Sequence, residues 1–301
     1  MRLVTFRKTK GNDRAPCLGV IPDGRSEVVQ ISGRYLRAPG SMLALIAGGA
    51  EALRVVRMNT PHLPARYHLA EVELLAPIPV PPRNILCIGK NYREHVGEVR
   101  FIEPSDGDPQ PAEPPAHPMV FTKATTAVIG PGAQIPAYLD DTDSTDYEGE
   151  LAVVIGKGGR GIAPADAMTH VFGYTIVNDV TARRLQKRHG QWFLGKSLDG
   201  YCPMGPAIVT ADEIPDPTVL KVRTRVNGEL RQEGCVADLI FDIPTLIATL
   251  SRGMTLQPGD VIATGTPAGV GMGFDPPRFL RSGDEVKITI EPIGTLRNPV
   301  G

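Results

Sequence analysis

The sequence predicts a β-rich, mixed α+β fold: many short strands, a few short helices, and a small N-terminal unit ahead of a larger domain. Three observations carry that expectation. Apolar runs of strand length recur along the whole chain. Gly (33) and Pro (29) are abundant, as many tight turns require. Helical patterning is confined to brief stretches such as TARRLQKRHG at 181–190 and IPTLIATLSRG at 243–253.

Residues 1–78 read as a small β-rich domain. LVTF, CLGVI and EVVQI are strand-like runs separated by Gly, Pro and Asp. The stretch 41–57 reads as helix, with Ser41 as its N-cap. APIPVPPRN follows, with four prolines between 77 and 82, and such a stretch is stiff and extended. The domain boundary is placed there, so 79–301 forms the larger domain. It opens on the strand NILCIG. Residues 104–118 hold six prolines and read as a loop between structured segments. Beyond it MVFT, AVIG, GELAVVIG, FGYTIVN, AIVT, LKVRTRVNG, DVIATG and EVKITIE read as strands.

Composition excludes several classes. The chain has 301 residues, a formal net charge of −1 and 42% hydrophobic content, ordinary for a globular protein with a proper core. No apolar run approaches the roughly 18–20 residues of a membrane span, and the charged opening MRLVTFRKTK lacks the apolar segment of a secretory signal. Cys17, Cys87, Cys202 and Cys235 are too scattered for a zinc knuckle or disulfide framework, which points to reduced thiols in a cytoplasm. Residues 1–78 carry 11 Lys/Arg against 6 Asp/Glu, but these are dispersed and lack interleaved aromatics. They read as a solvated surface, and no nucleic-acid or membrane partner is expected.

The chemistry concentrates at 140–150. DDTDSTDYEGE holds six carboxylates in eleven residues, and no Lys, Arg or His occurs between Ala124 and Gly156. Glu148 and Glu150 are two apart at the mouth of the run LAVVIG, so on a strand both point to one face. Burying two such neighbours unpaired costs several kcal/mol. A divalent cation removes that cost, and an all-oxygen donor set favours Mg²⁺, Mn²⁺ or Ca²⁺. A solvated acidic strand end is the plainer alternative for this stretch alone. A third carboxylate, Asp179, ends FGYTIVN just before a helical segment, where it reads equally well as an N-cap or as a site ligand.

Residues 156–161 (GKGGRG) match G-x-G-x-x-G after a strand, with Asp179 18 residues beyond. The dinucleotide reading is rejected. Ile-Ala-Pro follows instead of a long helix, the surrounding pattern is not alternating βαβ, and Glu148 and Glu150 would stand near phosphates.

Taken together, NILCIGKNYREHVGE, MVFTKATTAVIG, DYEGELAVVIGK, GYTIVNDVTARRLQ, GKSLDGYCPMGP, MTLQPGDVIATGTPAGVG and the closing SGDEVKITIEPIGTLRNPV form seven ordered blocks. Over residues 83–300 they resemble the fumarylacetoacetate hydrolase family, in its acylpyruvase and 2-hydroxyhepta-2,4-diene-1,7-dioate isomerase-like branch. The resemblance implies a rolled β-sheet domain with short helices and a homodimer or larger homo-oligomer. It implies Mg²⁺ or a similar ion on Glu148, Glu150 and Asp179, and a catalytic dyad at His95 and Glu98. Lys196 matches the G-K-S lysine and is placed with the catalytic groups. Lys123, Gln186 and Thr266 match substrate-side positions. The chain departs from the pattern at Gly200, where many relatives carry Thr.

These groups suit a small 2-oxo acid. A metal polarises the 2-oxo carbonyl and stabilises an enolate, which serves C–C hydrolysis, decarboxylation and tautomerisation alike. His95 and Glu98, three apart on one helical turn, can activate water, with Lys196 or Lys123 offsetting developing charge. The leading expectation is hydrolysis of an acylpyruvate such as fumarylpyruvate or acetylpyruvate. An oxaloacetate-like decarboxylase, a 2-hydroxymuconate-type hydratase or isomerase, and an idle metabolite-binding homologue are the alternatives. Trp192 is expected to pack at a domain or subunit surface, His189 at a helix C-terminus, and Cys87 and Cys202 in the core.

Overall fold

The computed structural model describes residues 1–11, 14–31, 40–102 and 113–301. Most of the proline-rich loop, residues 104–112, therefore lies outside the described residues. The first part of the chain supplies β1 (Arg2–Lys8), β2 (Cys17–Ile21), β3 (Glu27–Gln30), α1 (Met42–Ala47), α2 (Gly49–Asn59), β4 (Arg66–His68) and β5 (Val72–Leu74). Next come β6 (Ile85–Gly89), α3 (Arg93–Ile102), β7 (Met119–Lys123), β8 (Val128–Ile129), β9 (Thr145–Asp146), β10 (Gly149–Ile155), β11 (Val171–Asn178) and β12 (Thr181–Ala182). The remainder adds α4 (Arg183–Arg188), α5 (Phe193–Lys196), β13 (Cys202–Thr210), β14 (Lys221–Val226), β15 (Glu229–Cys235), α6 (Ile243–Ser251), β16 (Val261–Ala263), β17 (Glu285–Ile290) and β18 (Gly294–Pro299).

The main sheet runs β4-β3-β2-β1-β13-β11-β10-β16-β6-β7, with β5 added beside β1 and β8 beside β13. A second sheet, β15-β14-β17-β18, packs against it, and β9 pairs with β12. Strand β1 pairs antiparallel with β13 through Arg2–Val209 and Leu3–Ile208, so the N-terminal strands extend the same sheet as the rest.

Strand β10 shows how the pattern builds two cores. Leu151, Val153 and Ile155 face one way, into a cluster with Val222, Ile288 and the α6 residues Leu246 and Leu250. Ala152 and Val154 face the other way, toward Met42, Leu45, Ile46 and Val56 of α1 and α2. Each buried Leu, Ile or Val among them contributes roughly 1.5–3 kcal/mol, and burial on both faces explains the continuous apolar run.

Helix ends follow their caps. Ser41 accepts from Ala44 N at 3.2 Å, as expected from the sequence. Asp242 accepts from Thr245 N at 2.8 Å and starts α6. The stretch 41–57 is not one helix: Gly49 takes a φ of +58° and divides it into α1 and α2. Residues 156–161 open into a 3₁₀ turn, Pro164–His170, and not an α-helix; Gly156 N and Lys157 N both donate to His170 O. No helix among the described residues is long and apolar enough to cross a membrane.

Candidate active site and metal centre

The β10–β11 pairing brings the three carboxylates together. Gly149 lies opposite Asn178, Glu148 N donates to Asn178 Oδ1 at 3.0 Å, and Asp179 N donates to Glu148 O at 2.8 Å. Glu148, Glu150 and Asp179 are all buried, and one oxygen from each lies within 4.8 Å of the others. Asp179 is no helix cap. Helix α4 begins at Arg183 with Ala182 as its N-cap and no side-chain cap, and the Asp179 carboxylate faces two lysines instead.

Three buried cations surround the cluster. Lys196 Nζ donates to Glu148 Oε2 at 2.8 Å and to Asp179 Oδ2 at 2.7 Å. Lys123 Nζ donates to Val180 O at 2.9 Å and stands 2.7 Å from Asp179 Oδ1. Arg183 Nη1 reaches Glu148 Oε1 at 2.5 Å while its Nε donates to Asp146 Oδ2 at 2.9 Å. Burial opposes ionisation of Glu148, but Lys196, Arg183 and His95 outweigh it and hold the carboxyl far below its ordinary range. Lys196 behaves alike: burial disfavours its charge, yet Asp179 and Glu148 raise its pKa.

Glu150 differs. Its Oε2 accepts from Gly265 N at 2.8 Å, and no salt bridge reaches it among the described residues. Burial, with Asp179 and Glu148 beside it, pushes its pKa well up. A hard divalent cation reverses that balance, so the donor set fits Mg²⁺, Mn²⁺ or Ca²⁺: three buried carboxylates, one of them unmatched, with no thiolate or imidazole among them.

The cleft above this cluster is lined by His95, Glu148, Glu150, Arg183, Gln186, Lys196 and Thr266, with Phe121, Trp192, Lys90 and Met272. Six of the nine sequence-predicted site residues thus meet at one surface. Lys123, Asp179 and Glu98 stand behind it. His95 Nδ1 is 3.0 Å from Glu98 Oε2 on α3. Thr266 Oγ1 accepts from Gln232 Nε2 at 2.7 Å and donates to Gly149 O at 3.0 Å, tying β15 and the 265–273 loop to the start of β10. Trp192 is half-buried and lines the cleft. It sits edge-on to Phe121 at 5.2 Å and against Gly89, forming the aromatic wall of the cleft. His189 does cap the end of α4, and Cys87 and Cys202 are buried free thiols, as expected.

Gly200 has a physical reason. Its φ is +76°, and a Cβ there would lie 2.6 Å from Pro136 Cδ, so a side chain at this position would be strained and would need Pro136 to shift. Sequence reasoning missed Asp146, Arg183, Gln232 and Lys90. Asp146 is buried and accepts from Arg183 Nε, Gly271 N and Met272 N. Lys90 lines the cleft with a φ of +55°, an uncommon conformation for a non-glycine and a signal only the backbone gives.

The chain belongs to the fumarylacetoacetate hydrolase family: the family model described as fumarylacetoacetate (FAA) hydrolase C-terminal matches residues 84–301. Oxaloacetate tautomerase YisK of Bacillus subtilis is 55% identical over 271 residues, covering 87% of each protein. Among solved structures, maleylpyruvate hydrolase from Sphingobium sp. SYK-6, in complex with manganese(II) and pyruvate, is 33% identical with a TM-score of 0.78, covering 100% of this chain and 98% of that one. The 5-carboxymethyl-2-hydroxymuconate delta-isomerase from Mycobacterium smegmatis is 36% identical with a TM-score of 0.73, covering 100% and 99%. Hydrolase, isomerase and tautomerase activities are thus all present among its relatives, and the β-rich α+β architecture with short helices is theirs.

Proposed function

We propose that this chain is a divalent-metal-dependent enzyme that interconverts the enol and keto forms of a small 2-oxo dicarboxylate of the oxaloacetate type. The observation that carries the reading is the placement of His95, backed by Glu98, in the same cleft as the Glu148 and Glu150 carboxylates. The 55% identity to a tautomerase over most of both chains puts tautomerisation ahead of the hydrolysis expected from sequence.

Glu148, Glu150 and Asp179 would hold the ion, which supplies Lewis-acid polarisation of a 2-oxo group when bound. The protein's own groups do the rest. Glu98 accepts at Oε2, so the His95 proton sits on Nδ1 and Nε2 is left as the base. His95 Nε2 takes a proton from C3 of the keto form to leave an enolate, whose oxygen is then protonated from solvent to give the enol; in the other direction the enol oxygen gives up its proton to solvent and protonated His95 delivers one to C3. Lys196 and Arg183 offset the negative charge of a dianionic substrate. Gln186 and Thr266 border the space in which it lies, and the Phe121–Trp192 wall limits access of water to one side.

Hydrolysis of an acylpyruvate is the second reading. It is favoured by the same basic Nε2, which can deprotonate water, and by the likeness to a maleylpyruvate hydrolase. The test is to strip the purified protein with chelator and follow three substrates with and without Mn²⁺: enol-oxaloacetate, fumarylpyruvate and acetylpyruvate. Metal-dependent ketonisation of oxaloacetate, cut to a small residual rate in His95→Ala and lost in Glu148→Ala, is the expected result. Pyruvate and a carboxylic acid from the acylpyruvates, with no ketonisation, would replace the first reading by the second. Pyruvate and CO₂ from oxaloacetate would make the chain a decarboxylase.

A further inference from the structure

We propose that Tyr147 is a positioning residue for the His95–Glu98 pair, acting through the backbone of Gly269. The inference rests on the reading of that pair as the acid–base group.

Tyr147 lies between Asp146 and Glu148, and its ring is fully buried. Its hydroxyl donates to Gly269 O at 2.9 Å. The N–H of the same glycine donates to Glu98 Oε1 at 2.9 Å, and the other Glu98 oxygen meets His95 Nδ1 at 3.0 Å. Two and three residues further on, Gly271 N and Met272 N donate to Asp146 at 2.7 and 3.0 Å. The segment that carries Glu148 therefore grips the 265–273 loop twice, and the loop seats Glu98.

The seat is built for that purpose. Gly269 has a φ of +102°, and a Cβ there would lie 1.9 Å from Arg231 O. Only glycine allows the loop to aim its N–H at Glu98 in this way. At Gly273 a Cβ would lie 1.9 Å from Glu98 Oε1. The atom in the way there is the end of a flexible side chain, so a methyl group would evict the Glu98 carboxylate while leaving the backbone in place. A carboxylate held at one oxygen by a fixed N–H presents the other in one orientation, and it fixes the imidazole tautomer and ring plane in turn.

The experiment is a set of variants read by kcat, KM, Mn²⁺ affinity and crystal structure. Tyr147→Phe keeps the ring and removes one hydroxyl. It should lower kcat roughly tenfold or more, with KM and Mn²⁺ affinity unchanged and Glu98 moved out of hydrogen-bond distance of Gly269 N. In a His95→Ala background it should have no further effect, because the group it positions is gone. Gly273→Ala should reproduce the loss of kcat with the protein still folded. Wild-type kcat in Tyr147→Phe, an equal loss in both backgrounds, or a parallel fall in Mn²⁺ affinity would overturn the proposal. The two levels fail separately. Full turnover in His95→Ala overturns the catalytic reading of the pair, whereas an unmoved Glu98 in the Tyr147→Phe crystal structure overturns the positioning role whatever the kinetics.

Discussion

Lys196 Nζ lies 2.7 Å from Asp179 Oδ2, with both side chains almost wholly buried, and the same ammonium reaches Glu148 at 2.8 Å. One cation thus joins two of the three carboxylates that the site offers to a metal. Removing one partner of a buried ion pair typically costs 3–5 kcal/mol, because the other charge is left uncompensated. Lys196→Ala should therefore destabilise the metal-free protein by about 3 kcal/mol in urea denaturation. Added Mn²⁺ should recover part of that loss, since it neutralises the stranded carboxylates.

Glu150 should respond in the opposite sense. It gains one backbone N–H and faces two like charges in a buried setting, so its pKa is raised. Glu150→Gln keeps an oxygen to accept from Gly265 and removes the repulsion. The metal-free protein should be as stable as wild type at pH 7, or more so. Mn²⁺ affinity measured by calorimetry should fall by roughly a hundredfold, as for loss of a metal ligand and its neighbours. Equal affinity would remove Glu150 from the ligand set.

Asp140 organises the acidic segment from behind. Its carboxylate accepts from Thr142 N at 3.0 Å, Thr142 Oγ1 at 2.5 Å, Ser144 N at 2.8 Å and Ser144 Oγ at 3.2 Å. Burial works against its charge, but those hydrogen bonds win and lower its pKa. A lowered carboxyl pKa gives stability that is present above the unfolded value of about 3.9 and is lost as pH falls through the lower folded value. Asp140→Ala should cost about 2–3 kcal/mol at pH 7. The gap to wild type should close between pH 4 and lower values, not between pH 5 and 8.

A threonine at position 200 should harm the protein. Gly200→Thr would place a β-branched side chain at a φ of +76° and against Pro136. A loss of about 2–4 kcal/mol, several degrees in melting temperature, is expected. A variant as stable as wild type would show that Pro136 can give way.

The sequence carried the parts of this account that are local. The two-residue spacing of Glu148 and Glu150 placed both on one face of a strand, and the site's face alternates against Leu151 and Val153 as that spacing requires. The three-residue spacing of His95 and Glu98 gave their contact on α3. What could not be read depends on distant partners. No cation occurs near the acidic segment in sequence, yet Arg183, Lys196 and Lys123 surround it, because α4, α5 and β7 fold onto β10. Both Arg183 and Arg184 stand at the start of α4, and nothing in the residue types says that Arg183 turns inward. Strand β15 escaped notice because its sequence, ELRQEGC, is largely polar; its buried Gln232 is spent on Thr266 and Gly149 N rather than on an apolar core. The pairing of β1 with β13 joins residues some 200 apart, beyond any local pattern.

Glu148, Glu150 and Asp179 are proposed to hold one divalent ion together. The most direct test is anomalous diffraction at the manganese edge from crystals grown with Mn²⁺. A single strong peak within coordination distance of an oxygen of each of the three carboxylates is the predicted result. No peak there at saturating Mn²⁺, with Lys196 still bridging Glu148 and Asp179, would contradict it.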